Sequence, residues 1–331
     1  MTNTELDVIA IGNAIVDVVA QADDDFLIKH DLSKGTMTLI DAAMAEKLYD
    51  NMGPALEVSG GSAGNSAAGI ASLGGKCAFI GKVRNDQLGD IFRHDIQAIG
   101  VNFDTPAATD GDPTARCLIF VTPDAQRTMQ TYLGACTDLT PADIDPAVIQ
   151  SGKVTYMEGY LFDPPEAKKA FFTAADYAHQ ADRLVSLSLS DPFCVDRYRD
   201  EFRDLVKGHI DILFANEEEI KSLYQVDHFD DALQHVRKDC KIAALTRGPS
   251  GAVIVSGEEV HVVGAAPVEK VVDTTGAGDL FAAGFLYGYT HGYSLADSAR
   301  IGAASAAEAI SHFGARPETP LKTILETFPQ A

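Results

Sequence analysis

Positive charge is scarce in this chain. Lys and Arg number 26 against 48 Asp and Glu in 331 residues, a formal net charge of −22. Such a field repels phosphate backbones and anionic lipid, which argues against nucleic acid and membrane partners, and an anionic ligand must be met by local donors. Cysteine is also thin. Cys77, Cys117, Cys136, Cys194 and Cys240 include no C-x-x-C pair, and an odd count without metal spacing points to reduced thiols in a cytoplasmic protein. The nine histidines form no H-E-x-x-H. The opening MTNTELDVIAIG lacks the basic and apolar regions of a secretory signal, and the apolar run after Val271 is broken by Asp273 and Asp279 before it reaches membrane-spanning length. Repeats, low-complexity tracts and linkers are absent. Two familiar phosphate motifs fail as well. In GIASLGGKC, Lys76 falls one position too late for a Walker loop and Cys77 stands where Ser or Thr belongs. A dinucleotide fingerprint needs a small residue three beyond Gly278, where Phe281 stands.

What is present is a folding chain, 46% hydrophobic and 22% charged, long enough for one large α/β domain with an accessory element. DVIAIG reads as a buried strand, 62–73 as a small-residue helix against a sheet, 76–83 as a strand and 89–100 as a helix. From Lys153 strands and helices alternate: strands at KVTYMEGYL, RLVSLSLS, HIDILFAN and KIAALTRG, with helices at PPEAKKAFFTAADYAHQA, DRYRDEFRDLVKG and NEEEIKSLYQ. A hairpin around Gly257 and two small-residue helices follow. Repeated βα units predict a doubly wound parallel sheet covered on both faces. The stretches near 15–61 and 112–136 read as strands without intervening helices, including a hairpin of 115–123 with 127–134. The expected division is a large α/β nucleotide-binding domain from 1–14, 62–111 and 137–331, and a small β lid from 15–61 and 112–136. The acids Asp23 to Asp25 read as a solvated turn.

Chemistry concentrates in a few stretches. In VVDTTGAGDLFAAGF a strand-like VVD runs into Gly276, Ala277 and Gly278, and a helix starts near Asp279. Amides at a glycine-rich helix N-terminus converge on an anion. Asp279 there is either an N-cap or a base beside a phosphoryl group in transfer, taking the proton of an incoming hydroxyl. In FANEEEIKSL, Asn216 and Glu219 lie three apart at a helix start, and they either cap the helix or serve as oxygen ligands for Mg²⁺ through its waters. SGGSAGNSAAG brings Gly60, Gly61 and Asn65, and GNAIVDV offers Asp17. Together they supply the carboxylate and carboxamide that vicinal hydroxyls need. TRGPSG, Thr246 to Gly251, is a weaker candidate nucleotide loop.

These motifs together resemble the ribokinase-like (PfkB-type) carbohydrate kinases. DTTGAGDLFAAG is similar to that family's C-terminal signature, GGSAGNSA to its N-terminal one and NEEE to its N-x-x-E motif. GNAIVDV, LSLSDPF and HIDILFANEEE resemble its adenosine-kinase branch most closely. The resemblance implies a ribokinase-like fold and an ATP-dependent phosphotransferase working by in-line transfer to a primary hydroxyl. For an adenosine kinase this is the 5′-hydroxyl, giving AMP and ADP; the alternative is a sugar kinase of ribokinase or fructokinase type. It implies Asp279 as catalytic base, with Gly276, Ala277 and Gly278 around the anion hole. Asp17, Gly61 and Asn65 become contacts to ribose hydroxyls, and Asn216 and Glu219 organise Mg²⁺. Asn216, Thr246, Gly248, Gly251, Gly276 and Gly278 line the ATP site, and Arg127 meets phosphate on lid closure. Family members often bind K⁺ near the residues matching Asp273 and Thr275. The aromatic candidates to stack on a substrate base are Tyr160, Phe162 and Phe193, with Met129 and Leu133 as an apolar wall. A small nucleoside or sugar is the expected partner.

Overall fold

The computed structural model describes residues 5–124 and 126–328. The chain begins with β1 (Leu6–Ile11), β2 (Ile15–Gln21), α1 (Asp24–Lys29), β3 (Met37–Leu39), α2 (Ala42–Asn51) and β4 (Ala55–Ser59). It continues with α3 (Ser62–Ser72), β5 (Cys77–Ile80), α4 (Gln87–Ala98), β6 (Ala115–Val121), β7 (Arg127–Tyr132), α5 (Pro146–Ser151), β8 (Gly152–Glu158) and α6 (Pro165–Gln180). Then come β9 (Leu184–Ser188), α7 (Pro192–Arg197), α8 (Arg199–His209), β10 (Ile212–Asn216), α9 (Glu217–Tyr224), α10 (Phe229–Asp239) and β11 (Ile242–Thr246). Strands β12 (Ala252–Ser256) and β13 (Glu259–Val263) and helices α11 (Ala277–Thr290) and α12 (Leu295–Ala309) complete the set. Among the described residues no helix is long and apolar enough to cross a membrane.

The expected α/β architecture is present, built on two sheets. The larger runs β13-β12-β11-β10-β9-β8-β1-β5. Its strands from β5 to β11 pair in parallel, but β12 and β13 join antiparallel, so the sheet is mixed rather than wholly parallel. Alternation along the strands divides the core. Ile9 and Ile11 of β1 face α6, α8, α9 and α10, whereas Val8 and Ala10 face α3, α4 and α11. The second sheet runs β3-β7-β6-β2-β4. On β2, Val16, Val18 and Ala20 are buried, which leaves Asp17 on the opposite, half-buried face.

Small residues let the helices on one face touch by backbone. A methyl group on Gly284 of α11 would lie 2.7 Å from the Gly302 backbone of α12, and one on Gly69 of α3 would lie 2.7 Å from Ala283. No ordinary side chain fits either crossing.

The structure departs from the sequence reading in several places. Residues 15–61 hold two helices, α1 and α2. Asp23 is the N-cap of α1, accepting from Phe26 N–H at 2.8 Å, and Asp24 and Asp25 occupy its first turn, where acids suit the helix dipole. Helix α10 was not anticipated. Val271 to Asp273 form no strand, although Val272 N–H reaches the Ile310 carbonyl. Strand β8 stops at Glu158, and Gly159–Phe162 coil into a 3₁₀ turn.

Candidate active site

The carboxyl ends of the parallel strands converge where chain order reverses. From β1 the sheet grows toward β5 on one side and β8 on the other, and open α/β sheets bind ligands at such a point. A buried carboxylate ties this crevice together. Glu158, at the end of β8, accepts Asn13 Nδ2 at 2.7 Å from the segment after β1 and Ala63 N–H at 2.8 Å from the first turn of α3. Burial pushes Glu158 up to about 7, against those two hydrogen bonds. Neither Glu158 nor Asn13 was picked out from the sequence. The available signal was a glutamate ending an otherwise apolar strand.

Asp279 lies in the first turn of α11, but it does not cap the helix. The N-cap is Gly276, held at φ 77°, where a side chain would collide with Ala315. The Asp279 carboxylate instead accepts Ser62 Oγ at 2.6 Å and Asn65 Nδ2 at 3.0 Å, and Ser66 Oγ donates to the Asp279 carbonyl at 3.1 Å. Burial raises Asp279 to about 6, with Ser62 and Asn65 pulling the other way. The amides of Gly276, Gly278 and Asp279 have no protein acceptor among the described residues. The Cβ direction of Gly278 opens onto free space. These donors fit the phosphate-binding role expected of Gly276, Ala277 and Gly278, and Ala277 N–H is the one that turns inward, to Thr274 O.

Asp17 is brought to the same place. Burial raises it to about 6; Arg316 and then Arg127 oppose the rise, and Asp279 adds to it. Its carboxylate has no hydrogen-bond donor among the described residues. Close approach of the loop after β4 makes this possible: a side chain at Gly60 would lie 2.5 Å from the Asp17 carboxylate, and Gly61 adopts φ 82° against the Asn13 carbonyl. Asp17, Gly61, Asn65 and Asp279 therefore lie close together. Ser62, which holds Asp279, and Arg316, beside Asn65, were also missed. Ser62 stands within a recognised motif, whereas Arg316 sits in a loop with no pattern of its own.

The nucleotide and metal candidates fare unevenly. Asn216 and Glu219 form a reciprocal capping box. Asn216 Oδ1 accepts Glu219 N–H at 2.9 Å, Glu219 Oε2 accepts Asn216 N–H at 2.8 Å and Oε1 accepts Asn216 Nδ2 at 2.6 Å. Burial raises Glu219 to about 7. With both oxygens engaged and no group of three potential ligands among the described residues, the pair does not fit direct Mg²⁺ coordination. Thr246 ends β11, and the Cβ direction of Gly248 is open. Gly251 is a packing glycine: a side chain there would strike Val263 O.

Arg127 pairs with Asp273 through Nη1 at 2.6 Å. Asp273 also accepts Thr275 N–H, Thr275 Oγ1 and Gly314 N–H. Burial alone would raise its pKa, but these bonds and Arg127 together hold it below the usual value. Each of its oxygens thus accepts two hydrogen bonds.

Two of the three aromatic candidates are corrected. Phe162 is 1% exposed and packs on Phe202 and Phe171 in the core, because the 3₁₀ turn carries it inward. Phe193 is 79% exposed on α7. Tyr160 alone keeps a place near the chemistry. Its hydroxyl donates to Ser190 O at 3.1 Å, and burial foremost, then Asp191 and Asp279, raise its pKa. Met129 and Leu133 are half-buried.

Comparison with known proteins agrees with this geometry. Residues 40–322 match the pfkB family of carbohydrate kinases. The adenosine kinase of Saccharomyces cerevisiae is 27% identical, covering 96% of this chain and 97% of that protein. A probable sugar kinase from Rhizobium etli CFN 42 superposes with a TM-score of 0.90 at 55% identity over 98% of each chain. The adenosine kinase from Sinorhizobium meliloti superposes with a TM-score of 0.90 at 52% identity, over 98% of this chain and 100% of that one. A buried acid beside unpaired amides at a helix start, on a fold shared from end to end with such enzymes, places this chain in the pfkB family of carbohydrate kinases, ATP-using phosphotransferases.

Proposed function

We propose that this kinase phosphorylates the 5′-hydroxyl of adenosine. One observation carries the reading: the Asp279 carboxylate, free of any capping duty, lies near the Asp17 carboxylate and beside three amides, all without protein partners among the described residues. Asp17 and Asn65 receive the vicinal hydroxyls of a ribose, which turns the primary hydroxyl toward Asp279. Asp279 takes the hydroxyl proton, and the oxygen attacks the γ-phosphorus of ATP in line as its bond to the β,γ-bridging oxygen breaks and ADP leaves. The amides of Gly276, Gly278 and Asp279 receive the charge that gathers on the phosphoryl oxygens. A base raised to about 6 is still ionised at neutral pH, yet it binds a proton more strongly than an ordinary aspartate.

Thr246 and Gly248 stand on the side assigned to ATP. Mg²⁺ would neutralise charge on the ATP phosphates, and the Asn216–Glu219 box, which caps α9, would face it through water rather than by direct ligation. The second sheet, with its connections (15–61 and 112–136), serves as a lid, and closure releases Arg127 from Asp273 to meet phosphate. A cytoplasmic role in purine salvage is consistent with this acceptor. Support for a nucleoside comes from the likeness to the Sinorhizobium meliloti adenosine kinase, and for a sugar from the likeness to the Rhizobium etli probable sugar kinase. Steady-state rates over a panel of nucleosides and sugars decide between them. We expect kcat/KM for adenosine to exceed that for ribose and fructose by at least about tenfold. Faster turnover of ribose or fructose would replace the nucleoside with a sugar.

A further inference from the structure

Arg316 lies just past α12, far in sequence from every motif, yet its guanidinium reaches the acceptor pocket. Its Nε faces Asn65 Oδ1 at 3.5 Å, and its Nη1 faces Asp95 Oδ2 at 3.4 Å. Asp95, from α4, accepts the Ser59 N–H at 2.7 Å and the Ser59 hydroxyl, so the guanidinium is anchored to the residue just before Gly60 and Gly61. The Nη2 nitrogen is buried above Gly64 with no acceptor among the described residues. An arginine kept there with one nitrogen unsatisfied is not completing a network of its own.

We propose that Arg316 is a positioning residue for the acceptor: it fixes the Asn65 carboxamide and supplies the counter-charge to Asp17, the two groups that hold the acceptor's vicinal hydroxyls. The inference rests on the acceptor-pocket reading above. Asn65 Nδ2 must face the Asp279 carboxylate, which turns Oδ1 toward Arg316. A flipped amide would set its NH₂ against a guanidinium and its oxygen against a carboxylate, so the cation locks one orientation. On Asp17 the charged groups that act are Arg316, Arg127 from β7 and Asp279 from α11, with the buried Cys117 thiol opposite it on β6. Arg127 is already paired with Asp273, which leaves Arg316 as the principal counter-charge.

Two readouts on Arg316→Gln and Arg316→Lys test the proposal. In the unliganded protein, the Asp17 carboxyl carbon is titrated by NMR, with Asp17→Asn identifying the resonance. The midpoint should rise by about one pH unit or more in Arg316→Gln and return toward wild type in Arg316→Lys. An unmoved midpoint overturns the proposal whatever the acceptor is. Binding of adenosine and 2′-deoxyadenosine is then measured by calorimetry. Wild type should prefer adenosine by about tenfold or more, and Arg316→Gln should lose most of that preference while binding the deoxy compound nearly as before. Equal weakening of both ligands indicates a structural role only and also overturns it. If wild type shows no preference between the two, the acceptor-pocket reading falls, and with it the hydroxyl-holding role of Arg316.

Discussion

Replacing Asp279 by Asn should destroy activity and stabilise the fold together. Burial lifts this carboxyl from 3.8 to about 6, so above pH 6 the folded protein holds a charge it would rather neutralise. A difference of about 2 in pKa, at about 1.4 kcal/mol each, is about 3 kcal/mol of lost stability at neutral pH. The sign follows from the direction. A raised folded-state pKa gives stability that is fully present below the unfolded value near 3.8 and is lost as pH climbs through 6. Asn removes this dependence. Its oxygen still accepts from Asn65, and its NH₂ donates to a rotated Ser62 hydroxyl, so few hydrogen bonds are lost. Allowing about 1 kcal/mol for the weaker neutral bonds leaves a net gain of about 1–2 kcal/mol at pH 7.5. For a domain of this size that is a few degrees in Tm. Meanwhile kcat should fall about 10²–10⁴-fold. Urea denaturation of wild type and Asp279→Asn between pH 4.5 and 8 gives the stability difference, and steady-state rates give the other half. The two curves should meet near pH 4.5 and separate through pH 6. A variant less stable than wild type at pH 7.5 refutes the argument that burial strains this charge. A variant keeping most of its kcat refutes its role as base.

Other expectations are simpler to check. The acid limb of kcat/KM should show an apparent pKa near 6, shared between the coupled Asp17 and Asp279 and not assignable to either alone; a limb below 4.5 would mean that neither needs to ionise there. Glu219→Gln should lower stability by about 1 kcal/mol, because a carboxamide cannot accept both Asn216 donors, and the Mg²⁺ concentration at half-maximal rate should move less than about threefold. A shift of tenfold or more would make Glu219 a ligand after all. Hydrogen exchange across β6 and β7 should slow when acceptor is added, and equal exchange in both states would count against a closing lid.

The patterns behind the proposed centre show in the sequence because they are local. Gly276 to Asp279 need consecutive amides, and Asn216 and Glu219 need a spacing of three, so both show as short patterns. The residues that were missed act over long separations. Glu158 meets Asn13 across 145 positions and Arg316 meets Asn65 across 251, and no periodicity records such a pair. Side-chain direction was the other blind spot. Phe162 was a stacking candidate by its place just after Gly159, but the turn to 3₁₀ there carries its ring onto Phe202. The acidic run at Asp23 misled in the opposite way, since the composition that marks a solvated turn also suits the first turn of a short helix.

The glycine crossings of α11 with α12 and α3 set what in this molecule is free to change. Backbone meets backbone where α11 crosses α12, and Gly69 of α3 lies against the Ala283 methyl, so the helix carrying Asp279 has a fixed seat in the larger sheet's framework. Asp17, by contrast, comes from β2 and the second sheet. On the proposed function, the phosphoryl centre and part of the acceptor site thus stand on separate foundations. Substitutions in the second sheet can reshape the acceptor site while the anion hole keeps its place, whereas a methyl group added at Gly284 would displace Asp279 for every acceptor alike. One invariant seat with an exchangeable facing surface is a physical basis on which nucleoside and sugar kinases can share a single fold.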